Sequence, residues 1–268
     1  MKSQEILIQG NSIRFWSGGT GPGLLLLHSA WGDAELSWSR VWDELSGSFT
    51  VVAPDMPGFG RSGPSAPISL SESVRLLREL LDHLKLDRVV VIGNSFGVAL
   101  ATEFALACPD RVSRLVAVNG GYLPFLPSFI KKIIGIPVVE NKFRALMRSM
   151  VYSDKAFTNA FPNKQLLPPG FFECIRKHEE QHSRAVFNAF MLQARAQTAP
   201  KVPTTLLWGT GDKLLSPKQT ERVKKWFADA PDIPLAGAGH MPQVEQPKEF
   251  VEAVRKIGKK AISSRYIY

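Results

Sequence analysis

Cysteine is scarce. Cys108 and Cys174 are the only two in 268 residues, far apart and without metal-ligand spacing. That excludes a disulfide framework and leaves a pair of buried free thiols in a reducing, cytoplasmic setting as the expectation. Long apolar runs are missing too. Charges, prolines or glycines interrupt each one well short of the roughly 18 residues that a membrane-spanning helix needs, so no integral membrane segment is expected. The opening "MKSQEILIQGNSIRFW" lacks the apolar stretch of a signal peptide and alternates from Glu5 as strands do. No internal repeat or low-complexity tract is present. Acidic residues are outnumbered, 24 against 33 Lys and Arg, for a net charge of +9. Such an excess permits attraction to nucleic acid, anionic lipid or an acidic protein. No zinc finger or RNP-like stretch accompanies it, so nucleic acid is not an expected partner.

What is present is a regular alternation. Hydrophobic residues make up 44% of the chain, enough for a full core. "GLLLLH" (23–28) and "FTVVAPD" (49–55) read as buried strands flanking a helix through "AELSWSRVWDELS" (34–46). In "SLSESVRLLRELLDHLKL" (69–86), Leu70, Val74, Leu77, Leu81 and Leu84 recur at helical spacing. Further strands follow at 89–92, "RLVAVN" (114–119), "TTLLWG" (204–209) and "DIPLA" (232–236), separated by helices at 96–106 and 216–228 and closed by a helix from Pro247. The expected fold class is α/β, a mostly parallel central sheet with helices on both faces. Residues 123–199 break the pattern, with no convincing strand, many aromatics and helical patches such as 171–197. They read as a helical cap inserted into a core formed by 1–122 and 200–268. Leaving from a strand's carboxyl end, the insertion would sit over a site there.

"VVVIGNSFGVAL" (89–100) places Ser95 between a buried strand and a helix, with Gly93 and Gly97 two residues to either side. So sharp a turn strains the backbone at Ser95 and brings chains together where side chains would clash. It also exposes the hydroxyl beside the helix's unpaired N–H groups. This is the G-x-S-x-G nucleophile-elbow pattern. Alone it arises often by chance, so the reading depends on a base and an acid elsewhere. His240 in "LAGAGHMPQVEQP" and Asp212 in "LLWGTGDKLLSP" both follow strand ends on the same edge of the sheet, and the order Ser95, Asp212, His240 is the one this arrangement uses. Plainer roles exist for each: a turn former at Asp212, a surface loop histidine at His240. His83, His178 and His182 fall within expected helices, and His28 is expected to shape its own loop. Asn119 stands where an acid was an alternative. The oxyanion donors expected are the backbone N–H of Phe96 and one from "HSAWGD", Ala30 first and Trp31 as the alternative. Asp55 is expected to hold the turns after its strand, and Glu245 to serve a helix start or the His240 loop.

Together "LLLLHSAWGD", "PDMPGFGRSG" (54–63), "GNSFG", "LWGTGDKLLSP" and "GAGHMPQVEQP" resemble the α/β-hydrolase fold superfamily, in its branch of small serine hydrolases with a helical cap. One departure is Ser29, where relatives usually carry glycine after the histidine. Haloalkane dehalogenases and epoxide hydrolases of this fold use aspartate at the position of Ser95. The resemblance implies a carboxylesterase acting through an acyl-enzyme, with no cofactor and no metal. Carbon–carbon hydrolysis of ring-cleavage diketones ranks second, since "SAWGD" does not match the "GPG" loop usual there. Thioester or carrier-protein methyl ester hydrolysis is a further alternative, and a ligand receptor on the same fold the non-enzymatic one. For a largely apolar small-molecule substrate, the expected wall includes Trp31, Tyr122, Phe125, Phe143, Met147, Phe187 and Met191. Segment 123–199 holds 11 Lys or Arg against 5 Asp or Glu, and Lys131, Lys132, Arg144 and Arg148 within it are expected to steer an anionic substrate or an acidic carrier protein.

Overall fold

A computed structural model describes residues 1–62, 68–228 and 230–263, the side chains of 259–263 excepted. Gly63, at the end of the "PDMPGFGRSG" motif, and the last five residues of the sequence lie outside the described residues. The alternating N-terminus forms a hairpin of β1 (Lys2–Ile8) and β2 (Asn11–Gly18), turned by Gln9 and Gly10, both at positive φ. Such a two-residue turn matches the right-handed twist of the paired strands. The buried runs supply β3 (Gly23–Leu27), β4 (Thr50–Pro54), β5 (Val89–Asn94), β6 (Val112–Val118), β7 (Thr204–Gly209) and β8 (Asp232–Leu235). Among the described residues these eight strands form one sheet in the order β1-β2-β4-β3-β5-β6-β7-β8. From β4 to β8 every pairing is parallel. This is the α/β-hydrolase fold.

Strand residues alternate between two cores. Leu25, Leu27, Val91 and Ala117 point to the face packed by α3 (Leu70–His83) and α4 (Phe96–Ala107). Val223 and Trp226 of α10 (Pro217–Trp226) lie against the same cluster. Leu24, Leu26, Val90 and Ile92 point to the other face, toward α1 (Ala34–Trp38), α2 (Trp42–Ser46) and the helix Pro247–Ser263. All eight of these strand side chains are buried, the seven Leu, Val and Ile each stabilising the fold by about 2 kcal/mol through lost apolar exposure. One expected element is corrected: 34–46 is two short helices. Ser39–Val41 separate them, and from that break Arg40 reaches out to donate to the carbonyls of Leu166 and Val244.

Between β6 and β7 the chain runs through α5 (Ser128–Ile134), α6 (Pro137–Val151), α7 (Asp154–Ala160), α8 (Phe171–Lys177) and α9 (Glu179–Leu192), with no strand. The helix expected across 171–197 is thus split at His178 and ends at Leu192. Cys108 is buried as expected, but Cys174 is exposed. On α8 it is Phe171 and Ile175 that turn inward, which leaves Cys174 on the outer side. A third apolar cluster joins this segment to the core: Tyr152, Phe157, Phe161 and Phe171 pack with Trp31, Met241 and Val244. No helix of the described residues is long and apolar enough to cross a membrane.

Candidate active site

Ser95 caps the N-terminus of α4 at φ 54° and ψ −114°, a left-handed region that a residue with a Cβ occupies only under strain. Neighbouring chains hold it there. Its N–H donates to Val118 O at 2.9 Å and its carbonyl accepts from Val98 N at 3.0 Å. A Cβ at Gly93 would collide with the Gly97 carbonyl, and one at Gly97 with the Leu27 carbonyl. The two flanking glycines are therefore a steric requirement of the turn.

His240 and Asp212 come from loops after β8 and β7. His240 Nδ1 lies 2.7 Å from Asp212 Oδ2, and both side chains are almost wholly buried. Asn119, at φ 45°, donates from Nδ2 to the same Asp212 oxygen at 2.6 Å and accepts Gly209 N–H at 2.9 Å. Asp212 Oδ1 accepts Leu214 N–H at 2.9 Å. Burial raises the Asp212 pKa, but the His240 imidazole, the Asn119 amide and the Leu214 N–H outweigh it and hold the carboxyl below its ordinary value. The Asp212 loop therefore presents a fixed carboxylate to the imidazole. Ser95 and His240 line one cavity of about 450 Å³; no hydrogen bond joins them among the described residues.

The His240 loop is braced on both sides. Glu245 accepts Gly239 N–H at 2.9 Å and Met241 N–H at 3.1 Å, so it serves this loop. Burial pushes the Glu245 carboxyl up to about 7 despite those two donors. Asn94 donates to His240 O at 3.0 Å and to Val118 O at 3.1 Å, and accepts from Gln243 at 3.1 Å. His240 N–H donates to Ala160 O, at the end of α7, at 2.8 Å. Lys213 N–H donates to Asn159 O at 2.8 Å. Segment 123–199 thus grips the loops of both His240 and Asp212.

Ala30 and Phe96 also line the cavity. Trp31 N–H is directed to Ser29 Oγ at 3.3 Å, which leaves Ala30 as the better-placed of the two donors considered in that loop. Ser29 is buried with its hydroxyl toward Met241 Sδ at 3.9 Å, so its Cβ is accommodated. Tyr152, which sequence reasoning missed, donates its hydroxyl to Ala30 O at 2.9 Å, and Trp31 Nε1 donates to Val151 O at 3.1 Å. His28 shapes the adjoining turn: Nδ1–H faces Ser29 O at 2.9 Å and Nε2 accepts Met56 N–H at 3.1 Å. Asp55 accepts the N–H groups of Ala34 at 2.9 Å and Arg61 at 3.1 Å, away from the cavity wall.

Of the expected wall residues, Trp31 and Tyr122 line the cavity, while Phe125, Phe143, Met147, Phe187 and Met191 do not. Phe143 and Phe187 face each other 6.2 Å apart between α6 and α9, and Phe125 is exposed beneath the Lys131 ammonium. These side chains are used in packing within the segment or lie at its surface. The wall is completed by Leu123, Val151, Val186, Leu214 and Val223. Its one Lys or Arg side chain is Arg222 of α10, beside Gln219, and no acidic side chain faces it. The basic cluster expected to steer substrate is disposed otherwise. Arg144 and Arg148 both bind Glu180, and Lys131 donates to Gln193 O. None of the four residues reaches the cavity.

Residues 24–253 match the model of the alpha/beta hydrolase family. The chain belongs to that family. Among curated relatives it is 28% identical to a 2-hydroxy-6-oxo-2,4-heptadienoate hydrolase of Pseudomonas putida, over 88% of this chain and 85% of that one. It is 25% identical to a 2-hydroxymuconate semialdehyde hydrolase of a Pseudomonas species, over 94% of this chain and 92% of that one. In fold it is similar to a thermophilic esterase from Thermogutta terrifontis, with a TM-score of 0.74 and 23% identity over 97% of this chain and 99% of that one. A putative lipase from Acinetobacter baumannii superimposes with a TM-score of 0.77 at 20% identity, covering 98% of this chain and 92% of that one.

Proposed function

We propose that the protein is a serine hydrolase that cleaves a carboxylic ester of a largely apolar small molecule through an acyl-enzyme. The observation that carries this reading is the strained Ser95 on one cavity wall with a His240 imidazole whose far nitrogen is already held by Asp212. With Nδ1–H committed to the carboxylate, Nε2 is the nitrogen left to act as base. Ser95 Oγ attacks the carbonyl carbon while Nε2 takes its proton. The negative charge that develops on the carbonyl oxygen is met by the N–H groups of Phe96 and Ala30. His240 then returns the proton to the leaving alcohol, and water, deprotonated by the same imidazole, releases the acid and regenerates Ser95. Residues 123–199 act as the cap: they give Leu123, Val151 and Val186 to the wall and hold the His240 loop through Ala160.

A second reading uses the same residues on an acyl group attached through carbon. It is favoured by the keto-dienoate substrates in the names of the curated relatives. Turnover on a panel of short aryl esters, with a ring-cleavage diketone alongside, separates the two. Ester hydrolysis lost in Ser95→Ala supports the first; turnover of the diketone alone selects the second. Binding without turnover of any member would assign a receptor on a hydrolase fold.

A further inference from the structure

Exposed apolar side chains are unevenly distributed. Among the described residues nine large hydrophobics are exposed, and all but Leu7 belong to segment 123–199. The helices there are turned outward. On α5 and just after it, Phe129, Lys132, Ile133 and Ile136 face solvent at positions i, i+3, i+4 and i+7. On α6, Val138, Lys142, Leu146 and Met150 form an exposed row at every fourth residue, the spacing of one ridge along a helix. Ile134 of α5 is buried, and Phe143 and Met147 of α6 are half-buried, so each helix has an inner face as well. An amphipathic helix normally turns its polar side out. Here the outward side is apolar and its charges are lysines. A surface of this kind marks an interaction site.

We propose that the outward face of α5 and α6 docks on the surface of a lipid bilayer containing anionic phospholipid. The lysines decide between a membrane and a second copy of this chain. In a two-fold dimer built on this face the same patch meets itself, which gathers Lys132 and Lys142 of both copies, all of one sign, into a desolvated interface. At a bilayer the aliphatic stems lie along the acyl boundary while the ammonium groups reach back to the phosphates. Arg144 and Arg148 are paired with Glu180, and the exposed charged residues of α5 and α6 are Lys132 and Lys142, so an anionic surface attracts this face and a zwitterionic one does so less. The docking proposed is peripheral, along the boundary, and no helix among the described residues is long and apolar enough to cross a membrane.

The test is flotation of the full chain with vesicles of phosphatidylcholine alone or mixed with phosphatidylglycerol, at low and high salt. Expected is co-flotation with the mixed vesicles that weakens as salt rises. The combined Lys132→Ala and Lys142→Ala variant should lower the partition coefficient about tenfold or more. The combined Ile133→Ser, Leu146→Ser and Met150→Ser variant should abolish it, with an unchanged circular dichroism spectrum and unchanged turnover of a soluble ester. No flotation, or flotation that neither variant alters, overturns the proposal. So does a dimer in sedimentation that the apolar variant dissociates while vesicles are ignored, and so does capture by an acidic carrier protein without binding to the mixed vesicles.

Discussion

Asn119 and His240 share one oxygen of Asp212: the Asn119 amide reaches Oδ2 at 2.6 Å and the His240 Nδ1 at 2.7 Å. The amide therefore fixes the lone-pair direction that the imidazole uses. Asp212→Asn should lower kcat by about 10³-fold or more on the best ester, because an amide facing Nδ1 favours the wrong tautomer. Asn119→Ala should cost about tenfold in kcat with little change in KM, by loss of one hydrogen bond to the carboxylate. Steady-state kinetics on one aryl ester check both. Near-full activity in Asp212→Asn would assign the orienting role to another carboxylate.

Strain at Ser95 separates stability from catalysis. A fluorophosphonate probe should label Ser95 alone and should not label Ser95→Ala. Ser95→Gly should be as inactive, yet more stable than Ser95→Ala by about 1 kcal/mol, since glycine adopts φ 54° without the Cβ penalty. Urea unfolding of the two variants measures this difference.

The pH dependence of stability carries the mark of Glu245. Its carboxyl is pushed up to about 7 in the folded protein by burial, against about 4.3 in an unfolded chain. Between those values the folded state keeps a proton that the unfolded state has lost, so this residue's contribution is present at low pH and fades as pH rises toward 7. Asp55, likewise pushed up to about 7, acts in the same direction, and His182, lowered to about 3 by burial, acts in the opposite one. Relative to wild type, Glu245→Gln should gain stability on going from about pH 5 to about pH 7, by at most about 1.4 kcal/mol per unit. Parallel curves for the two proteins would show that Glu245 is ionised throughout.

Arg222 stands at the cavity wall where the basic cluster of α5 and α6 does not. For an ester carrying a carboxylate away from the scissile bond, Arg222→Ala should lower kcat/KM about tenfold, while a matched neutral ester changes little. Replacing Arg144 and Arg148 should leave both rates alone, because their charge is opposed by Glu180. A loss of rate in the latter pair alone would return substrate steering to that cluster.

Most of the α/β frame was legible in the chain, because short β-branched and leucine runs bounded by turn residues read as strands buried on both faces, and helices such as that over 70–83 carry 3.6-residue periodicity. The helix over 34–46 was not read correctly. Its apolar spacing continues across Ser39–Val41, and the break shows only in the fold, where Arg40 donates to carbonyls more than a hundred residues away. The wall residues were misassigned for a related reason. Phe143, Met147, Phe187 and Met191 are apolar at helical spacing whether they face a ligand or the next helix, and periodicity cannot tell these apart.

By itself the sequence determined where a sharp strand-to-helix turn falls, which residue stands at it, and that an aspartate and a histidine follow later strands at the same edge. Those features are local: glycine spacing, apolar runs and chain order. Tertiary structure alone decided that Asn119 supports Asp212, that Tyr152 and Val151 secure the Ala30 loop, and that Arg222 reaches the cavity. It also decided that the lysines of α5 and α6 lie in an outward apolar face. Each of these depends on which long-range neighbour a side chain meets, and hydrogen-bond partners brought together across scores of residues leave no periodicity in the chain to read.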